Sequence, residues 1–143
     1  AYFSTKGDRR VWRLGLDSDQ LALLWELPAP ATGGSVDNVF VHQPSGDVYV
    51  AQDGGEVQVH LVVPTSLGPV AHPFLRFEGH TRSEATGPAF SPDGTRMYVS
   101  SQRGTDGRTG WTVEVSGPFR RTRQPGTASV SGQVYPDRLG IVE

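Results

Sequence analysis

Along most of the chain, apolar residues recur at every second position. The runs "VFVHQPSGDVYVA", "VQVHLVV", "PAFSPDGTRMYVSS" and "WTVEV" alternate apolar and polar side chains and are bounded by clusters of Gly, Pro, Asp and Ser. That pattern predicts short strands joined by turns. Helical periodicity is nearly absent. With 18 Gly and 11 Pro spread throughout, the best helical window is "SDQLALLWELP", whose leucines read equally well as a strand. The expected class is all-β.

Internal repetition refines this expectation. "YFSTKGDRRVWRLGL" from Tyr2, "YVAQDGGEVQVHLVV" from Tyr49 and "YVSSQRGTDGRTGWTVEV" from Tyr98 share one plan: an aromatic-led strand, a glycine turn and a second alternating strand. The tyrosines stand 47 and 49 residues apart. Matching hairpins, "DNVFVHQPSGD" and "TGPAFSPDGTR", precede the second and third copies, and "LALLWEL" and "AHPFLRF" supply a fourth strand after the first and second. Four antiparallel strands in roughly 40 to 50 residues make one propeller blade. The alternative is a β-sandwich with coincidental spacing. The predicted architecture is therefore a β-propeller fragment of about two and a half to three four-stranded antiparallel blades. Residues 1–30 are read as outer strands of an incomplete blade, 31–79 as a second blade, 80–120 as a third, and 121–143 as a C-terminal tail or closing strand. Propellers typically need 4 to 8 blades to close. The remaining blades are expected from missing sequence or from another chain, since an open stack leaves apolar faces and unpaired edges in water.

At 143 residues the chain suits one ordinary domain. A formal charge of -2, from 13 basic and 15 acidic residues, gives no electrostatic case for a nucleic-acid or membrane-surface partner and favours small molecules. No apolar run approaches the roughly 18 residues of a membrane span, and the strand-like opening "AYFST" at Ala1 suggests processing or truncation. The chain has no cysteine, so a disulfide framework and thiolate metal sites are excluded within it.

In a propeller, the loops entering the innermost strand and leaving the second strand crowd one mouth of the central channel. Here "SVDNV" (35–39) and "SEATGP" (83–88) are the expected entry loops, and "AQDGG" (51–55) and "SSQRG" (100–104) the exit loops. The position four after each tyrosine holds Lys6, Asp53 and Gln102. Convergence of Asp37, Asn38, Asp53, Glu84 and Gln102 would supply hard oxygen ligands suited to Ca²⁺, or to Fe or Mn. Each has a plainer reading. Asp37–Asn38 fits an Asx turn, Asp53 fits hairpin chemistry before Gly54–Gly55, and Asp47 and Asp93 are read as turn residues. Glu84 has no special turn geometry and is flanked by small Ser83, Ala85, Thr86 and Gly87, so a ligand role is weighed against a solvated carboxylate. His42 and His60 fall in strands, outward-facing or core-packed, while His72 reads as loop. His80 is a candidate to reach the same mouth. Arg103 offers a planar fork for an anion, against the common exposed loop arginine. No Gly-x-Ser-x-Gly, Walker-type loop or zinc-binding pair is present.

"VDNVFVHQPSGDVYVAQDGG", followed by "SEATGPAFSPDGTRMYVSSQRG" and "WTVEVSGPFR", resembles the C-terminal blades of the PhoX-type alkaline phosphatases, a bacterial β-propeller family. The likeness runs from about residue 1 to 120, and the "LGIVE" ending is similar to family C-termini. The resemblance implies a secreted or periplasmic phosphomonoesterase, exported folded by the twin-arginine route, with Ca²⁺ and Fe³⁺ at the channel mouth and a small-molecule phosphate ester as substrate. It implies that Glu84 is a metal ligand, with Asp37, Asn38 and Asp53 in matching loops. Arg103 or Lys6 would steady the ester. Family members are several times longer, and the blades carrying their other ligands, a cysteine among them, are not in this chain. The isolated chain is accordingly expected to be inactive. Two other readings are a calcium-dependent lactonase-like propeller hydrolase, which shares Asp-Asn entry loops and acidic mouths, and a non-catalytic scaffold fragment.

Overall fold

The computed structural model describes residues 1–29 and 33–122. Among them there is no helix, and ten strands form three antiparallel sheets. The first sheet holds β1 (Tyr2–Thr5), β2 (Arg10–Gly15) and β3 (Gln20–Glu26) in that order. The second holds β4 (Ser35–His42), β5 (Asp47–Asp53), β6 (Gln58–Val63) and β7 (Val70–Arg76). The third holds β8 (Ala85–Phe90), β9 (Arg96–Ser101) and β10 (Trp111–Ser116). Each strand pairs with its sequence neighbour, as expected where short turns join antiparallel strands. The arrangement is consistent with a β-propeller fragment, and no sheet closes. Only the second sheet has the four strands of a full blade among the described residues. Of the expected tail or closing strand, residues 123–143 lie outside them.

The ambiguous leucine run resolves as strand β3. Val11 pairs with Trp25 and Leu14 with Leu21 across the β2–β3 ladder, so these residues gain backbone partners and a packed face that an isolated helix of this length would lack. His72 is also corrected. It lies in β7 and pairs with Leu61 across the ladder rather than in a loop.

Packing follows the period of two. In β5, Val48 and Val50 join a core with Val11, Leu24, Trp25 and Leu27 of the first sheet's side. Tyr49 and Ala51, pointing the other way, join Ala85, Met97 and Val99 of the third sheet. The middle sheet is thus covered on both faces, and its strand β5 is buried along six consecutive residues. Each fully buried valine contributes about 1.5–3 kcal/mol relative to an exposed one. In contrast, β9 alternates strictly between exposed and buried positions until its last two residues, as a strand with one face in solvent does.

The two inner strands, β4 and β8, carry the same irregularity. The β4–β5 register shifts between Val36 and Val39, and the β8–β9 register shifts between Thr86 and Ala89. Asp37–Asn38 and Gly87–Pro88 therefore occupy equivalent bulges, and Gly87 takes the positive φ of 60° that a side chain would resist. Asp37 and Asn38 sit within strand β4, not in an entry loop. Asp47 is likewise not a simple turn residue: it opens β5, is 2% exposed, and forms a bidentate ion pair with Arg120. Asp93 does behave as a turn residue, accepting hydrogen bonds from the Ser91 hydroxyl at 2.6 Å and the Thr95 amide at 3.1 Å.

Candidate functional site

The repeat brings charged side chains of all three sheets to one rim. Lys6 follows β1, Asp53 ends β5, and Glu84 stands immediately before β8. Lys6 Nζ lies 2.7 Å from Asp53 Oδ2 and 3.5 Å from Asp37 Oδ2. Glu84 Oε1 is 3.4 Å from Arg103 Nη2, and the carboxyls of Glu84 and Asp53 are close enough to influence each other's titration. Backbone contacts fix this meeting. Ser35 Oγ donates to the Lys6 carbonyl, Ser4 Oγ donates to the Asp37 carbonyl, and the Gln102 amide donates to the Glu84 carbonyl at 3.0 Å. The glycines are needed for the approach: a Cβ on Gly55, whose φ is +62°, would stand 2.1 Å from the Gly33 carbonyl oxygen.

Electrostatics divide the two central carboxyls. Glu84 is only 6% exposed, and burial, then the hydrogen bond and negative charge of Asp53, push its carboxyl above the ordinary range, against the pull of Arg103 and Lys6. Burial also pushes Asp53 upward, but hydrogen bonds with Lys6 and Glu84 together outweigh it, so this carboxyl lies below its ordinary value. Lys6 is raised, chiefly by its hydrogen bond to Asp53.

The other sequence candidates have different surroundings. Asn38 Oδ1 accepts from Thr86 Oγ1 and from the Gly87 amide, both at 2.8 Å, so it ties the two bulges of neighbouring sheets together. The Gln102 residue is exposed and takes part through its backbone. His80 does not reach the rim with its ring. It is buried, its Nδ1 lies 2.7 Å from Ser101 Oγ, and its ring meets Trp111 edge-on at 5.0 Å. Ser101 Oγ in turn contacts Ser83 Oγ at 2.8 Å, and Ser83 Oγ accepts from the Arg103 amide at 2.8 Å. This buried chain holds the segments bearing Glu84 and Arg103 in register. Sequence reasoning missed Ser83 and Ser101 in that role, since no local spacing joins residues 18 positions apart.

The donor set suits a hard cation in kind. Asp53 and Glu84 present neighbouring carboxyl oxygens, between which a cation could bind. It falls short in number, because Ca²⁺ takes 6 to 8 oxygens, Asn38 Oδ1 is committed to two donors, and Asp37 faces Lys6. Among the described residues, no group of three or more His, Asp or Glu side chains is placed to hold a metal ion. The rim therefore offers part of a site, with the balance left to further blades.

A separate hollow of about 390 Å³ opens beside the other end of β5, walled by Tyr49, Phe74 and Phe119 and edged by the Asp47–Arg120 pair. The six residue steps between Asp47 and Asp53 correspond to about 20 Å of strand. Tyr49 and His72 also line the hollow, but its one carboxylate, Asp47, is already paired with Arg120. The rim is the stronger candidate. Comparison of the chain with protein-family models, curated proteins and solved structures found no match.

Proposed function

We propose that the chain forms the C-terminal blades of a secreted or periplasmic, metal-dependent phosphomonoesterase resembling the PhoX-type alkaline phosphatases. Glu84 and Asp53 would contribute oxygens to a cation, Ca²⁺ first and Fe³⁺ as the second candidate. The observation that supports this reading is the gathering of Asp37, Asp53 and Glu84, with Lys6 and Arg103, at one rim from three successive sheets. A bound cation would neutralise phosphate oxygens and lower the pKa of an oxygen nucleophile. The chain's own residues hold the ends of the site. Buried Glu84 is oriented by Arg103, while the Arg103 side chain, 46% exposed, keeps donors free for an ester oxygen. Lys6 holds Asp37 and Asp53 together.

The test is Glu84→Gln in the complete protein, followed by metal analysis and hydrolysis of p-nitrophenyl phosphate. Metal content and turnover should fall together. Unchanged metal content rejects the ligand role, and turnover of lactones without phosphate esters moves the protein to the lactonase-like class. One observation favours a second reading, a non-catalytic scaffold: Lys6 and Arg103 already neutralise the rim's carboxylates. That reading expects the complete protein to bind no Ca²⁺ and to hydrolyse neither substrate.

A further inference from the structure

The hollow at the Asp47 end of β5 lies between strands β5, β6 and β7 of the second sheet and the segment 118–120 that follows β10. Its volume of about 390 Å³ falls within the range of small-molecule sites. Three aromatic rings shape it. Tyr49 meets Phe74 edge-on at 5.2 Å, and Phe74 stands 6.1 Å from Phe119 at a tilt of 38°. Val63 and Val70 extend the apolar wall. Such a space suits a flat, apolar body that can lie against ring faces and edges.

The uncommitted polar groups of the hollow are donors. Tyr49 is 2% exposed, and its hydroxyl has no hydrogen-bond partner among the described residues. Burial, then the charge of Asp47, raises that hydroxyl above the ordinary tyrosine value, so it keeps its proton and donates. Arg120 donates to Asp47 through Nε at 3.0 Å and through Nη2, which leaves Nη1 uncommitted among the described residues. Of the other polar wall residues, Thr65 donates to the Gly68 carbonyl and His72 is exposed. A guest must therefore bring an acceptor. An anionic one gains little, because Asp47 repels the charge that Arg120 attracts and burial strips its water. A carbonyl oxygen accepts from both donors without that cost.

We propose that this hollow is a binding site for an uncharged aromatic carbonyl compound of one or two rings, its ring held among Tyr49, Phe74 and Phe119 and its carbonyl oxygen accepting from the Tyr49 hydroxyl and Arg120 Nη1. The inference goes beyond the phosphatase reading and does not depend on it. The hollow lies about 20 Å along β5 from the rim, and its occupancy is read at its own walls, whatever the rim binds.

Acetophenone is titrated into the isotope-labelled 143-residue chain, with benzoate and benzylamine as charged comparators, and NMR follows the methyls of Val63 and Val70 and the ring of Phe119. Acetophenone should shift these resonances saturably, with a dissociation constant of about 1 mM or below, while those of Lys6 and Glu84 stay in place. Both charged comparators should bind about tenfold more weakly or worse. Tyr49→Phe removes only the donor and should weaken acetophenone binding by about three- to tenfold. Val70→Trp fills the hollow from a position 38% exposed and should abolish binding, and Tyr98→Phe on β9 should change nothing. Should a variant misfold, intermolecular NOEs from the acetophenone ring to Phe74 and Phe119 of the unsubstituted chain read the same pose. Absence of a saturable shift with acetophenone overturns the proposal, as does equal affinity of Tyr49→Phe or tighter binding of benzoate. Hollow resonances that move with protein concentration alone give the site to a second copy, and NOEs to them from residues 123–143 give it to the chain's own terminus; either result also overturns it.

Discussion

Replacing Asn38 with Ala separates a structural tie from a ligand. Asn38 Oδ1 accepts two hydrogen bonds from the neighbouring sheet, at 2.8 Å from the part-buried Thr86 hydroxyl and 2.8 Å from the exposed Gly87 amide. A net hydrogen bond is worth about 0.5–1.5 kcal/mol, and a donor left without a partner costs more when water cannot reach it. Water can replace Asn38 at Gly87 but only partly at Thr86, so Asn38→Ala should destabilise the chain by about 1–2 kcal/mol, most of it from the hydroxyl. Asn38→Asp keeps the acceptor and should cost about half that or less. Urea unfolding measures both, and a double-mutant cycle with Thr86→Val isolates the contact, with an expected coupling of about 0.5–1.5 kcal/mol. Metal-free and calcium-containing buffers should give the same values. Additive single mutants would refute the tie, and a coupling seen only with calcium present would return Asn38 to the ligand set.

Three further outcomes follow from burial and charge. His60 is held neutral down to about pH 4 by burial against Trp25, whereas unfolded His takes a proton near 6.5. Stability should therefore be full above 6.5 and fall by about 3 kcal/mol as pH drops toward 4; His60→Gln should flatten that limb of a urea-midpoint titration, and an unchanged slope would assign it to other groups. Glu84 has the opposite sign. Its raised folded value favours folding below its ordinary 4.5 and loses that contribution as pH climbs through the raised value, so Glu84→Gln should remove part of the decline above 4.5, and carboxyl NMR should show Asp53 titrating before Glu84. The result to watch for is Glu84 ionising first. Finally, Met97→Ala empties a fully buried position between the second and third sheets and should cost about 2–5 kcal/mol, while Leu16→Ala, at a residue 71% exposed, should stay within about 0.5 kcal/mol; similar losses at both would mean that the sheets do not pack as described.

The strands were legible because period-two alternation and glycine turns are local signals, and the spacing of Tyr2, Tyr49 and Tyr98 places all three at equivalent ladder positions in β1, β5 and β9. The rim was legible in part for the same reason: a repeat places Lys6 and Asp53 at matching positions, so neighbouring sheets bring them together. What local sequence cannot show is which of several donors an atom will choose. Asp37–Asn38 looks like loop chemistry but sits in a β4 bulge, because the register slips there. Asp47 looks like a hairpin residue but is claimed by Arg120, 73 positions away. His80 looks poised for the mouth, yet Ser101, paired with Ala85 by the β8–β9 ladder, takes its ring nitrogen first.

Lys6 is the chain's single lysine, and it provides the most direct check that successive sheets meet at a shared rim. A carbodiimide that forms an amide between an amine and a carboxylate in contact should join Lys6 mainly to Asp53, with Asp37 as a minor partner, in keeping with separations of 2.7 and 3.5 Å. Mass spectrometry of the digested product should recover that link at protein concentrations low enough to exclude intermolecular coupling. Recovery of Lys6 unmodified, or joined only to its sequence neighbour Asp8, would contradict the account.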